Sequence, residues 1–293
     1  MKITDLEATI VSVPYRHRET SSLVKRDGVT DVVIKLKTDR GLIGWGESCS
    51  GANVESIREA VLAATPVIVG RDPWNRDAIA RDFFKTALWE YRAPTANFAF
   101  AGIDMALWDL CGKDAGQPLC NLLGGVQRAS VNYFCYLPRS SLDEMMEEAQ
   151  RGVDRGYSVY YLKVGIDLFE ELEMVRALRK LIGPTRKIRV DANGAWTVSE
   201  AVRHLRLLGE FDIDFVEQPV WPEPVRNMAE VRQRVPMAVC ANEGLWSVAN
   251  TWEVIRERAA DVLNFSCFWV GTIQHFTRLS WAAHYEGLMV SHA

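Results

Sequence analysis

The chain has 293 residues, 48% hydrophobic and 25% charged, which suits a soluble globular protein with room for one large domain or two. Its net charge of −4 argues against a general nucleic-acid surface. No run approaches the ~18 consecutive apolar residues of a membrane span, and the alternating N-terminus MKITDLEATIVSV lacks the apolar core of a signal peptide.

In chain order, residues 1–50 read as hairpin material. ITDLEATIVSV and VTDVVIKLKT alternate like strands, and TDRGLIGWGES adds a turn and a third strand. Between the first two lies RHRETSSLVKRDG, which reads as a long polar loop. Its Arg16, Arg18, Lys25 and Arg26 read as solvated basic residues within reach of an anionic substrate. Residues 53–123 turn helical: NVESIREAVLAATPVIVG stops at Gly70, and NFAFAGIDMALWDLCGKDAG is rich in small residues suited to close packing. After LLGG, strands are readable near 130–136, 158–164, 187–191, 213–217, 237–241, 261–265 and 287–291, with helices between them. Strand–helix repetition implies a parallel sheet, and seven such strands favour a barrel over an open doubly wound sheet. The expected fold is α/β: an α+β capping domain over 1–125, then a TIM-type (β/α) barrel over 126–293. An eighth strand is needed for closure, so the barrel reads as truncated after its seventh strand.

Six cysteines (Cys49, Cys111, Cys120, Cys135, Cys240 and Cys267) show no CxxC spacing. They read as small hydrophobes in a reduced, cytoplasmic protein without a thiolate metal site.

Three acids carry the functional signal. Asp191 (KIRVDANGAW), Glu217 (IDFVEQPV) and Glu243 (MAVCANEGLW) each end a predicted strand, one βα unit apart. Strand ends of a parallel barrel converge on one face, so acids there can point at one hard divalent cation. Lys163 ends the second barrel strand in VYYLKVG, at the same rim, with Tyr161 on the same side of the strand. A lysine there suits a general base if its pKa falls from about 10.4 to about 7–8. His292 ends the seventh strand, across the barrel mouth, where a second acid or base would stand. His17, His204, His275 and His284 read as surface or packing residues.

With these residues in view, the chain closely resembles the mandelate racemase/muconate lactonizing enzyme branch of the enolase superfamily over its whole length. GIDMALWDLCGKDAGQPLCNLLGG, RVDANGAW, DFVEQP and the strand ending in Lys163 carry the resemblance. It implies Mg²⁺ held by Asp191, Glu217 and Glu243, with Lys163 removing the α-proton of a small carboxylate substrate to give a metal-stabilised enediolate. Family members often carry Asp-Glu where this chain has Asn242-Glu243; either position can supply the third ligand, and the carboxylate of Glu243 is the stronger donor. The family's second strand-two lysine is absent, since the segment reads Tyr161-Leu162-Lys163. Trp269 stands where lactonizing enzymes and dipeptide epimerases have a strand-six lysine. Ser266 stands where racemase-like members have an aspartate that orients the strand-seven histidine.

A single base on strand two, with Tyr161 as a hydrogen-bonding or acid group and His292 as a possible acid, suits dehydration of a hydroxy acid or sugar acid. A racemase or cycloisomerase is the alternative, and a catalytically silent or truncated relative is a third. The resemblance further implies a homo-oligomer whose substrate is chosen by capping loops near 15–30 and 45–55.

Overall fold

The computed structural model describes residues 1–48, 53–91 and 93–291. His292, the expected second acid or base, lies outside the described residues, as does part of the 45–55 loop.

Strands β1 (Ile3–Thr20), β2 (Lys25–Thr38) and β3 (Ile43–Ser48) form an antiparallel sheet in the order β1-β2-β3. The expected polar loop at 16–28 is instead largely strand. After a register shift beyond Pro14, Glu19 pairs with Arg26 and Thr20 with Lys25. The sequence lacks apolar alternation there because opposite charges hold the arms together: Arg18 binds Asp27 through two bonds of 2.7 and 2.8 Å, and Arg26 donates to Glu19 at 2.6 Å. Only residues 21–24 form the turn.

Helices α1 (Val54–Ala63), α2 (Thr65–Ile68), α3 (Arg76–Glu90), α4 (Ala93–Ala115) and α5 (Leu119–Leu122) follow. Helix α4 is buried on nearly every side, as its run of small and apolar residues predicts. Close approach to β3 needs glycine: a Cβ on Gly46 would stand 1.9 Å from the Gly102 carbonyl oxygen. The core of this part joins Ile34, Leu36, Ile57, Phe100 and Leu107.

Seven parallel strands then alternate with helices: β4 (Cys135–Leu137), α6 (Leu142–Asp154), β5 (Val159–Lys163), α7 (Leu168–Ile182), β6 (Lys187–Asp191), α8 (Val198–Leu208) and β7 (Ile213–Glu217). Next come α9 (Val225–Arg234), β8 (Ala238–Ala241), α10 (Val248–Arg256), β9 (Val262–Asn264), α11 (Cys267–Val270), α12 (Ile273–Tyr285) and β10 (Met289–Ser291). The strands lie side by side in sequence order, a curled part-barrel with the helices outside. Helix starts are set by local chemistry: Ser141 with Glu144 and Thr197 with Glu200 form capping boxes, and Asp167 caps α7. The first barrel strand is shorter than expected, beginning at Cys135.

Two buried polar residues of α4 fasten the capping part to the barrel. Asn97 donates to the carbonyls of Trp246 (3.1 Å) and Trp269 (2.7 Å). Asp104 accepts the Ile273 N–H at 2.8 Å, satisfying the first turn of α12. Among the described residues, no helix is long and apolar enough to cross a membrane.

Candidate active site

The parallel register sets one row of side chains across the rim. Lys163 pairs with Asp191, and Asp191 with Glu217, so the three stand abreast at the C-terminal ends of β5, β6 and β7. Glu243 follows β8 on a short 3₁₀ turn, Glu243–Leu245. All three acids are buried, which is rare for carboxylates without a compensating charge.

Asp191 is the hub. Its Oδ2 accepts from the Lys163 ammonium at 2.5 Å and from the Tyr161 hydroxyl at 2.6 Å, while Oδ1 accepts the Asn193 backbone N–H at 2.8 Å. The phenol is thus committed to Asp191. Glu217 accepts from the Asn264 amide at 3.0 Å. Glu243 Oε1 accepts from the Asn193 amide at 2.6 Å, and its buried Oε2 has no partner among the described residues.

Burial pushes the Glu217 carboxyl well above the usual carboxylate range, and the charges of Asp191 and Glu243 push it further. Glu243 is raised by burial and then by Asp191. For Lys163 burial works toward the neutral amine, but the charge and hydrogen bond of Asp191 prevail and hold it up at about 12. Burial and Asp191 likewise keep Tyr161 a phenol.

Three buried carboxyl groups against one ammonium, with Glu217 and Glu243 both raised, make a site short of positive charge. The orphaned Glu243 oxygen points to the same deficit, and an all-oxygen donor set fits a hard dication such as Mg²⁺. Among the described residues, no three His, Cys, Asp or Glu side chains are grouped tightly enough to hold an ion as they stand. The Lys163 ammonium is bonded to Asp191 Oδ2, and the Asn193 amide to Glu243 Oε1. Asn242 donates through its amide to the Asn264 carbonyl at 2.7 Å, pinning β8 to β9, and leaves Glu243 as the third carboxylate of the site.

Sequence reasoning missed the supporting residues. Asn193 (φ +47°) turns back over the rim to touch both Asp191 and Glu243. Gln218 is fully buried, and its Oε1 accepts the N–H groups of Asn242 (3.0 Å) and Gly244 (3.1 Å), which fixes the Glu243 turn. The Asn-Gly pair in DANG is a turn signal that could have revealed the first; nothing in VEQP announces the second. Trp269 lies on α11, beyond the end of β9, where it stacks on Trp246 at 5.8 Å and meets Phe98 at 5.4 Å. Ser266 is buried at the N-cap of α11 without a side-chain capping bond. The β1–β2 turn reaches the barrel, where Ser22 donates to the Ala192 carbonyl at 2.8 Å.

Residues 6–124 match the family model described as the mandelate racemase/muconate lactonizing enzyme N-terminal domain, and residues 144–293 match the enolase C-terminal domain-like model. The N-succinyl-L-Arg/Lys racemase of Bacillus cereus is 30% identical over 98% of this chain and 78% of its own length. Its crystal structure superposes with a TM-score of 0.92, covering 99% of this chain and 79% of that one. The cis-3-hydroxy-L-proline dehydratase of Roseibium aggregatum is 30% identical over 92% of this chain and 74% of its own. A dipeptide epimerase from Enterococcus faecalis, in complex with Mg and the dipeptide L-Leu-L-Tyr, has a TM-score of 0.92 at 26% identity, covering 100% of this chain and 82% of that one.

Proposed function

Because the chain belongs to the mandelate racemase/muconate lactonizing enzyme branch of the enolase superfamily, and is an enzyme of isomerase or lyase type, we propose that it removes the α-proton of a small carboxylate substrate. The overall reaction we assign is dehydration of a hydroxy acid or sugar acid. The observation that carries this reading is the row Lys163, Asp191, Glu217 across three adjacent strand ends, with Glu243 beside it.

Asp191, Glu217 and Glu243 would hold Mg²⁺. A dication held there would supply positive charge at the substrate carboxylate. Lys163 would accept the α-proton at Nζ, a role that needs its neutral amine; burial works toward that form and the charge of Asp191 against it. Tyr161 holds Asp191 in place through its hydroxyl and stacks on Phe134 at 4.7 Å, which limits its own movement. Asn193 and Asn264 orient Glu243 and Glu217.

Racemisation needs a second group on the opposite substrate face. Ser266, just past the end of β9, is not an acid or base, which supports one-sided chemistry. The racemases and epimerases among the relatives favour the second reading, in which His292 is that group.

Calorimetric titration with Mg²⁺ tests the assignment. One site per chain is expected, lost in a Glu217→Gln variant that stays folded. Equal binding by that variant would remove Glu217 from the site. A silent relative would bind the ion yet turn over none of a library of hydroxy and sugar acids.

A further inference from the structure

Among the described residues, the Tyr136 hydroxyl at the barrel mouth has no role in this mechanism. Tyr136 lies on β4 in register with Tyr161 of β5. Neighbouring residues of a parallel pair share a face, and Tyr161 points inward to Asp191. Tyr136 therefore points inward as well, while its neighbours Cys135 and Leu137 turn outward into the core beneath the helices. The two rings lie 6.1 Å apart, tilted by 30°. The Tyr136 hydroxyl is buried and has no hydrogen-bond partner among the described residues.

A buried donor without an acceptor is costly, and native structures rarely keep one without a use. Its surroundings suggest that use. Burial pushes its pKa up to about 12; the Lys163 ammonium opposes this, and Glu19 and Asp191 add to it, so the group remains a phenol beside the Lys163 charge. A cavity of about 340 Å³ reaches Tyr136 from the side, between the hairpin arm at Tyr15–Glu19 and Pro138.

We propose that the Tyr136 hydroxyl is a substrate-contacting donor on the Lys163 face of the site, hydrogen-bonding an oxygen next to the carbon that loses its proton. The ligand class it selects is a carboxylate with an oxygen substituent near its α-carbon, as in hydroxy and sugar acids. This rests on the enolisation reading above.

The test is deuterium incorporation from D₂O, with Mg²⁺, into a pool of hydroxy and sugar acids by the wild-type protein and by Tyr136→Phe, with urea unfolding of both proteins free of ligand. The phenylalanine keeps the ring contact with Tyr161 and deletes only the orphan hydroxyl. Exchange efficiency (kcat/KM) should fall by ~10- to ~100-fold, the effect of one lost hydrogen bond to substrate. The urea midpoint should stay level or rise, since no internal bond is broken. A variant that exchanges like wild type, or whose activity falls only together with its stability, would overturn the assignment of Tyr136 and leave Lys163 and the acids untouched. Absence of exchange by the wild-type protein would overturn the enolisation reading and this inference with it.

Discussion

Asp104 gives the most quantitative prediction, because its burial couples the docking of α4 on the barrel to pH. The carboxyl is 3% exposed, and burial raises it from an ordinary 3.8 to about 7. The Ile273 N–H and the charge of Arg76 pull the other way but do not offset the lost hydration, and the nearby Trp108 indole N–H makes no hydrogen bond of good geometry. A carboxyl raised on folding gives its full stabilisation below the unfolded pKa and loses it as pH climbs through the folded one. A shift of about three units corresponds to at most about 4 kcal/mol over the whole window. About 2 kcal/mol of that falls between about pH 5.5 and about pH 8. Asp104→Asn keeps an oxygen for the Ile273 N–H and cannot ionise, so its stability lacks this component. Urea unfolding of both proteins at the two pH values should show the variant gaining on wild type by about 2 kcal/mol toward the alkaline side. Parallel pH profiles would refute the claim that Asp104 is held near neutrality by burial.

Other substitutions probe packing and domain attachment. Gly46→Ala would set a methyl 1.9 Å from the Gly102 carbonyl oxygen and 2.9 Å from the Ala106 nitrogen, both backbone atoms. A loss of about 3 kcal/mol or more is expected in thermal unfolding; an unchanged midpoint would mean that α4 can move away from β3. Asn97→Ala strips the Trp246 and Trp269 carbonyls of their shared donor, and should cost about 2–3 kcal/mol with a shift in indole fluorescence. Unaltered fluorescence would show that the stacked pair does not depend on that amide.

Much of this architecture was legible because barrel strands carry short apolar runs that end in acids at a βα spacing. Asp191, Glu217 and Lys163 could be aligned from that spacing alone. The hairpin extension at 16–28 was not legible, since its pairing rests on Arg18–Asp27 and Arg26–Glu19 ion pairs, whose charges read as a solvated loop. Asn193, Asn264 and Gln218 were invisible for a different reason: an isolated amide carries no periodic signal, and its importance comes from partners 24 to 50 residues away. Tyr136 escaped notice because its inward orientation depends on register with Tyr161, which the alternation of a three-residue strand does not fix.

The central claim is that Lys163 removes an α-proton while the three acids supply the cation site. The most direct measurement is α-deuterium incorporation from D₂O into a pool of hydroxy and sugar acids with Mg²⁺, comparing wild type with Lys163→Ala. The account predicts exchange by the wild-type protein and its disappearance, by ~10³-fold or more, in a variant that still binds Mg²⁺. Undiminished exchange without the lysine would assign the proton transfer to another group and contradict the account.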